Sequence, residues 1–149
     1  KSAKRTYAAL IEGSLDKPKG TWISYLFDEG IIVKLAKNKH LGKKAIAKFE
    51  RLAEGELYKA PYTLLKVQLE TGRKNQIRIQ AGEAGTPITG DKKYSAQYNP
   101  IGRLGLHATV LEFRHPITKK MMQVRSKIPQ VFFKPFKEKA QKLLDVFEK

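Results

Sequence analysis

Residues 64–82, LLKVQLETGRKNQIRIQAG, change from a strand pattern to a helix pattern within one short stretch. Leu65, Val67 and Leu69 alternate with polar residues, which is typical of a half-buried strand with one wet face. Thr71 is a residue type that caps helices, and we predict a helix that starts after it and continues to residue 84. Its apolar positions recur at helical spacing: Ile77, Ala81 and Ala84. The stretch therefore predicts a strand that leads directly into a helix.

Two arginines, Arg73 and Arg78, lie near the predicted start of this helix. Positive charge at a helix beginning is unfavourable, so these residues are expected to serve something other than the helix. Gly82 and Gly85 follow Arg78 by four and seven positions and leave a strip without side chains, where another backbone or a ligand can approach closely. Spacing alone leaves open a simpler alternative, an exposed Arg near a weak helix end, since Gly82 costs about 1 kcal/mol relative to Ala.

The rest of the chain reads mainly as strands. Apolar or alternating segments predict them at residues 7–12, 21–27, 45–52, 104–113 and 121–124. Residues 45–52 fit a helix almost as well, and we favour a strand. The last apolar stripe predicts an amphipathic helix through Phe136, Ala140, Leu143, Leu144 and Phe147, with Lys137, Lys139 and Lys142 outside. The sum is one α+β domain over residues 1–149, with a mostly antiparallel, mixed β-sheet and a few helices.

The formal net charge of +16, from 30 Lys and Arg against 14 Asp and Glu, indicates a polyanionic partner. Nucleic acid is the first candidate and an anionic lipid surface the second, although no apolar run reaches the roughly 18 residues of a spanning helix. The absence of Cys excludes disulfides and fits a cytoplasmic protein. The three histidines, His40, His107 and His115, lack metal-ligand spacing, and we expect His107 to be a hydrogen-bonded strand residue.

The cations concentrate in predicted loops and at the helix start, with tyrosines between them. Cations on loops can follow a phosphate backbone, and nearby aromatic rings can stack on unpaired bases. The alternative is that surface lysines only keep the protein soluble. The residues expected at an RNA surface are Lys39, Lys43, Lys44, Arg73, Lys74, Lys92 and Lys93, beside Tyr94 and Tyr98.

Several motifs, in one order along most of the chain, resemble the RluA-type RNA pseudouridine synthases. They are RTYAALIEG, PKGTWISYL, LLKVQLETGRKNQIRI, GTPITGDKKY, RLGLHATVLEFRHPITKK and SKIP. The resemblance implies a pseudouridine synthase-like catalytic core that isomerises uridine in rRNA or tRNA without metal or organic cofactor. It also implies an Asp nucleophile that attacks a nucleotide flipped out of the RNA.

Carried over by motif, the catalytic residues are Tyr7 of RTYAAL, which would pack on the base, and Arg78 of GRKNQIRI, which would pair with the nucleophile. Ile77 and Ile128 are expected to line the substrate pocket. A neighbouring cation favours the ionised form of a carboxylate, so Arg78 would keep the nucleophile charged. Arg73 and Lys74 would contact phosphate.

The chain departs from the family at the nucleophile. The family's Asp lies in an HRLD-type motif upstream of RTYAAL, and none of Asp16, Asp28, Asp91 and Asp145 has an Arg two residues before it. We predict a structural role for Asp91. The expectation is therefore a fragment of a catalytic domain, incomplete at its N-terminal side, inactive alone and able to pair with its own missing segment. The rival is a complete, non-catalytic RNA-binding protein on the same fold. Lys74, Asn75 and Gln80 also differ from common family residues, which bears on RNA contacts.

Overall fold

A computed structural model describes residues 3–29 and 32–148 and contains one seven-stranded sheet. The strands run in the order β3-β2-β4-β5-β1-β6-β7, and every pair among them is antiparallel. The predicted α+β class is confirmed, and the strand favoured at residues 45–52 is present within β4. The strands are β1 (Ala3–Glu12), β2 (Lys19–Glu29), β3 (Ile32–Leu35), β4 (Lys43–Leu57), β5 (Ala60–Leu69), β6 (Leu106–Arg114) and β7 (Met121–Arg125).

The central strands β1 and β5 differ in how far their two faces are covered. Ala8 to Ile11 of β1 are all 0% exposed, as the apolar run in this strand predicts. The half-buried face predicted for β5 is confirmed, because Lys66 and Gln68 keep part of their side chains in water while Leu65 and Val67 are 0% exposed. The apolar run of β1 is therefore covered on both faces, whereas β5 keeps one partly wet face along its second half.

Alternation along β1 divides the core into two clusters. Ala8 and Leu10 belong to one cluster, which the C-terminal segments cover with Phe132, Phe133, Phe136, Leu143 and Phe147. We call this side of the sheet the aromatic face. Ala9 and Ile11 belong to the other cluster, on the side covered by α1 (Gln76–Glu83), which we call the α1 face.

Helix α1 begins at Gln76, so the predicted start after Thr71 is wrong. The hydroxyl of Thr71 accepts a hydrogen bond from the Ile46 N–H (2.9 Å) and donates one to the Gln76 side chain (2.8 Å). Thr71 therefore joins the turn to β4 instead of capping the helix. The residue before the helix is Asn75, in the left-handed conformation with φ 56° and no side-chain cap. Arg73 thus lies in a turn, where helix charge does not penalise it.

The C-terminal helix is present but begins later than predicted. Residues Gln130–Lys139 form 3₁₀ turns interrupted at Phe136, and α2 (Ala140–Glu148) follows. Phe136 and two apolar residues of α2 are buried, as predicted: Leu143 and Phe147. Lys139 and Lys142 are exposed, whereas the side chains of Lys137, Ala140 and Leu144 lie outside the described residues. Among the helices that the structure describes, none has the length and apolar character needed to cross a membrane.

Candidate functional site

Tyr7 and Arg78, far apart in sequence, line the same cavity on the α1 face. The cavity has a volume of about 210 Å³, and its wall also includes Leu69, Arg73, Asn75, Gln76, Ile77 and Leu106. Strand β1 supplies Tyr7 and helix α1 supplies Arg78. The register of β1 against β6 shifts between Thr6 and Tyr7, and such irregularities re-aim side chains near functional sites. The fold therefore brings together the two residues that the motifs single out as catalytic.

Arg78 forms a two-point ion pair with Asp91. Its Nε donates to Oδ2 of Asp91 (2.9 Å) and its Nη2 donates to Oδ1 (2.8 Å). The Asp91 side chain is 1% exposed and that of Arg78 is 25% exposed. Bidentate pairs of this kind are short, strong and directional. The hydrogen bonds that Arg78 donates to Asp91 raise the pKa of Arg78 against the opposing effect of burial, so Arg78 remains a cation.

The pair with Asp91 occupies one edge of the Arg78 guanidinium. With Nε and Nη2 engaged, Nη1 lies 3.5 Å from the side-chain oxygen of Asn75, and the Tyr94 ring lies 5.1 Å from Cζ. Asp91 is not part of the cavity wall, so its carboxylate is not placed to attack a ligand there. The role predicted for Asp91 was structural, and its direct contact with Arg78 was missed because nothing in the sequence indicates which cation its turn approaches.

The turn that holds Asp91 packs tightly on α1 at Gly82. A Cβ built on Gly82 would lie 2.8 Å from the carbonyl oxygen of Tyr94, so only glycine fits at this position. The close backbone approach predicted beside Arg78 is thus confirmed at Gly82, whereas Gly85 has no atom within 4 Å. The Asp91 carbonyl accepts hydrogen bonds from the N–H groups of Tyr94 (3.1 Å) and Ala96 (3.0 Å). These contacts position the carboxylate beneath Arg78.

The cations predicted to bind RNA are all exposed, and all but Lys39 fall into two groups. Lys43, Arg73 and Lys74 line a second cavity, and Arg73 Nε donates to the carbonyl of Lys44 (3.0 Å). The second group is on the 3₁₀ turn Lys92–Tyr94, where Lys93 Nζ lies 5.8 Å from the Tyr94 ring. Lys39 lies in the exposed loop between β3 and β4 and is not part of the wall of either cavity.

The structure separates the two residues predicted for the substrate pocket. Ile77 lines the cavity with Tyr7, but Ile128 belongs to the cluster on the aromatic face and is 5% exposed. Tyr7 and its neighbour Ala8 point to opposite faces of β1, and Ile128 packs on the side of Ala8. Ile128 therefore does not line this cavity, because the chain segment after β7 returns across the other side of the sheet, and its role in the substrate pocket stays a prediction.

Gln80 has a structural role, although its departure from the common family residue was expected to affect RNA contacts. It is 1% exposed, and its amide nitrogen donates to the Ala45 carbonyl (3.1 Å) and the Trp22 carbonyl (3.3 Å). It therefore ties α1 to β4 and β2. The hydrogen bond expected for His107 is absent at Nε2, which is buried without a partner among the described residues while the ring packs on Phe132. No group of three or more potential metal ligands occurs in the described part of the chain.

A family model described as RNA pseudouridylate synthase matches residues 1–82. The chain is 33% identical over 129 residues to the uncharacterized RNA pseudouridine synthase YhcT of Bacillus subtilis, covering 87% of this chain and 42% of that protein. It is 41% identical over 91 residues to the dual-specificity RNA pseudouridine synthase RluA of Haemophilus influenzae, covering 58% of this chain and 39% of that protein. The chain thus spans less than half the length of these relatives.

Solved structures show the same fold. Human RNA Pseudouridylate Synthase Domain Containing 1 superposes with a TM-score of 0.73 at 19% identity, covering 87% of this chain and 56% of that one. Human RNA Pseudouridylate Synthase Domain Containing 4 gives a TM-score of 0.65 at 18% identity, covering 96% and 62%. At these identities the similarity is one of fold alone.

Proposed function

This chain belongs to the RNA pseudouridylate synthase family, in its RluA type, and we propose that it forms the uridine pocket of an enzyme that isomerises uridine in rRNA or tRNA. The observation that carries the proposal is the shared cavity of Tyr7 and Arg78, two residues that lie in different motifs of the resemblance. An enzyme that acts on a base must first take it out of the stack and hold it in a pocket. The cavity offers an aromatic ring for the base and a fixed cation beside it.

Arg78 is the residue that would hold the nucleophile ionised. A carboxylate beside a cation has a lowered pKa and stays charged. Asp91 engages only Nε and Nη2 of Arg78, and Arg78 lines the cavity, so an incoming carboxylate would form a second pair with the remaining N–H groups. None of the four Asp residues of this chain lies in an HRLD-type motif. The nucleophile is therefore expected from a further part of the catalytic domain, and the chain alone is expected to be inactive.

A specific observation favours a second candidate, a non-catalytic RNA-binding protein. Arg78 already has a complete partner in Asp91, so its charge is satisfied without a nucleophile. A protein that only binds RNA would keep the cationic loops and need neither Tyr7 nor an open edge on Arg78. The two candidates agree on RNA binding and differ on whether Arg78 matters for a reaction.

Release of the uracil C5 hydrogen separates the two candidates. Isomerisation breaks the glycosidic bond at N1, forms one at C5, releases the C5 proton to water and leaves N1 carrying a proton taken up from water. RNA with tritium at uracil C5 would be incubated with this chain alone and with this chain joined to the amino-terminal part of the YhcT relative. We expect release only from the joined protein, lost in Arg78→Gln and kept in the exposed control Arg114→Gln. Release that Arg78→Gln leaves unchanged would contradict the assigned role.

A further inference from the structure

The second cavity, with a volume of about 520 Å³, has an apolar floor and a cationic rim. Leu26 and Val33 form part of the floor and are 3% and 4% exposed. Leu41, on the loop between β3 and β4, is 58% exposed at the edge of this floor. The remaining wall includes Lys43, Arg73 and Lys74. We call this cavity the basic cleft. Its apolar surface and its cations together suit a ligand that has both an apolar ring and a negative charge.

Arg73 lines both the basic cleft and the cavity of Tyr7 and Arg78. The turn that carries it is held firmly, because its N–H donates to the Gln76 side chain (3.1 Å) and its Nε donates to the Lys44 carbonyl (3.0 Å). Neither Nη atom of Arg73 has an acceptor among the described residues. Arg73 therefore lies between the two cavities in a fixed position. Its Nη atoms can donate hydrogen bonds to a ligand that reaches from one cavity to the other.

From this arrangement, and on the premise of the proposed function, we infer that the basic cleft binds the base of a second unpaired nucleotide of the same RNA strand. That nucleotide neighbours the one held by Tyr7, and the phosphate that joins them lies at Arg73. Apolar contact with the base and cations on the phosphate are the general means by which proteins hold single-stranded RNA. Lys74 adds a second cation on the same side of the cleft.

The charge of Asp28 favours an RNA strand over a free nucleotide as the ligand of the basic cleft. It is exposed on the wall of the basic cleft, where its charge repels a phosphate chain. A free nucleoside triphosphate carries all its phosphates in one chain, and this chain would reach across the cleft toward the Asp28 carboxylate. A nucleotide within a strand has one phosphate on each side of the base, so its charge can stay at the Arg73 side.

The test compares two variants of the basic cleft with two matched controls. Leu41→Ser removes the exposed apolar contact and Lys74→Gln removes a cation. Ile117→Ser and Lys120→Gln make the same changes on the exposed β6–β7 turn, away from the cleft. Because all four side chains are largely exposed, the variants are expected to fold, and the circular dichroism spectrum and melting temperature of each would verify this. The measurement is the Kd for a short uridine-containing single strand and for a set of strands with one abasic nucleotide each.

Leu41→Ser is expected to weaken binding to the intact strand about fivefold, as for the loss of roughly 40 Å² of buried apolar surface. On one strand of the abasic set, Leu41→Ser and the unchanged protein should bind equally, because the base that Leu41 contacts is missing. Lys74→Gln should lower the slope of log Kd against log salt concentration by about 0.7, the value for one phosphate contact on a single strand. Ile117→Ser and Lys120→Gln should change neither quantity.

Three results overturn the inference in distinguishable ways. If the intact strand binds but Leu41→Ser matches Ile117→Ser, or loses affinity equally on every abasic strand, the cleft does not hold a base. If the unchanged protein binds no single-stranded RNA even at low salt, the proposed function itself fails. Tighter binding of a free nucleoside triphosphate than of the strand would also overturn the inference, since Asp28 argues against that ligand.

Discussion

The two faces of the sheet are built from different kinds of interaction. The aromatic face is closed by apolar side chains such as Phe132 and Phe133, which are 0% and 2% exposed. The α1 face buries Gln80 and Asp91 at similar depth and begins its helix at a left-handed Asn75. Buried polar groups are costly unless each finds a partner, so they are retained where they position something. The aromatic face therefore contributes mainly to stability, while the α1 face combines an apolar cluster with the polar contacts that orient Arg78.

The largest effect is expected on the aromatic face. Phe132→Ala should lower the free energy of unfolding by about 3–5 kcal/mol, because it removes a fully buried ring and leaves a cavity. Urea denaturation followed by circular dichroism measures this change. The control is Val131→Ala, next in sequence but 42% exposed, for which a change within about 0.5 kcal/mol is expected. Equal effects of the two substitutions would mean that the aromatic face does not carry the stability.

On the α1 face, the pair of Arg78 and Asp91 should show strong coupling. Asp91→Asn should lower the free energy of unfolding by about 2 kcal/mol, less than for a fully buried pair because Arg78 can turn toward water. A double-mutant cycle with Arg78→Gln should give a coupling energy of about 1–3 kcal/mol.

The matched control for this cycle is the exposed pair of Lys48 and Glu70, whose atoms lie 3.1 Å apart with side chains 62% and 46% exposed. Water and salt screen such a pair, so its coupling should stay below about 1 kcal/mol. Similar coupling in both pairs would remove the distinction between an oriented ion pair and an ordinary surface contact.

A smaller effect is expected at Gly82. Alanine favours helices over glycine by about 1 kcal/mol, so propensity alone predicts that Gly82→Ala stabilises the protein. The added Cβ would meet the Tyr94 carbonyl at 2.8 Å, and we expect the strain to reverse the sign, with a net loss of about 1 kcal/mol. The melting temperature should therefore fall. A rise would show that the turn carrying Asp91 yields easily and does not hold Arg78 in place.

The smallest effect is an alkaline loss of stability from Tyr62. Burial, with help from the nearby charge of Glu12, raises the pKa of this phenol in the folded state. In the unfolded chain Tyr62 ionises first, near pH 10. The contribution of Tyr62 to the free energy of unfolding is therefore constant below that pH and decreases as the pH rises toward the folded-state pKa. The difference in melting temperature between the unchanged protein and Tyr62→Phe should narrow or reverse above pH 10. A constant difference would contradict the raised pKa.

Local pattern was enough to predict most of the fold but not the polar contacts of the site. Alternation and turn residues located six of the seven strands, the β6–β7 hairpin and an apolar run buried on both sides in β1, whereas the short β3 was missed. Thr71 was misread as a cap because its actual partner, the Ile46 N–H, comes from a distant strand. The side of the sheet on which Ile128 packs was missed for the same kind of reason, since a motif gives order along the chain and not the side of the sheet.

The pairing of Arg78 with Asp91 marks the limit of such predictions most clearly. Each residue has a motif of its own, and the resemblance led us to expect a partner for Arg78 outside the chain. The contact depends on Gly82, whose missing side chain lets the turn of Asp91 approach α1. A pair that arises from a close backbone approach cannot be read from the spacing of charges.

The most direct test of the central claim, that the pair with Asp91 orients Arg78 for uridine, is the rate of C5 tritium release by Asp91→Asn in the joined protein. Misorientation of a catalytic group can lower a rate about 100-fold, so we predict a loss of this order in kcat. The KM for RNA should stay nearly unchanged, because Asp91 does not line the cavity. A kcat equal to that of the unchanged protein, in a variant verified as folded, would contradict the claim.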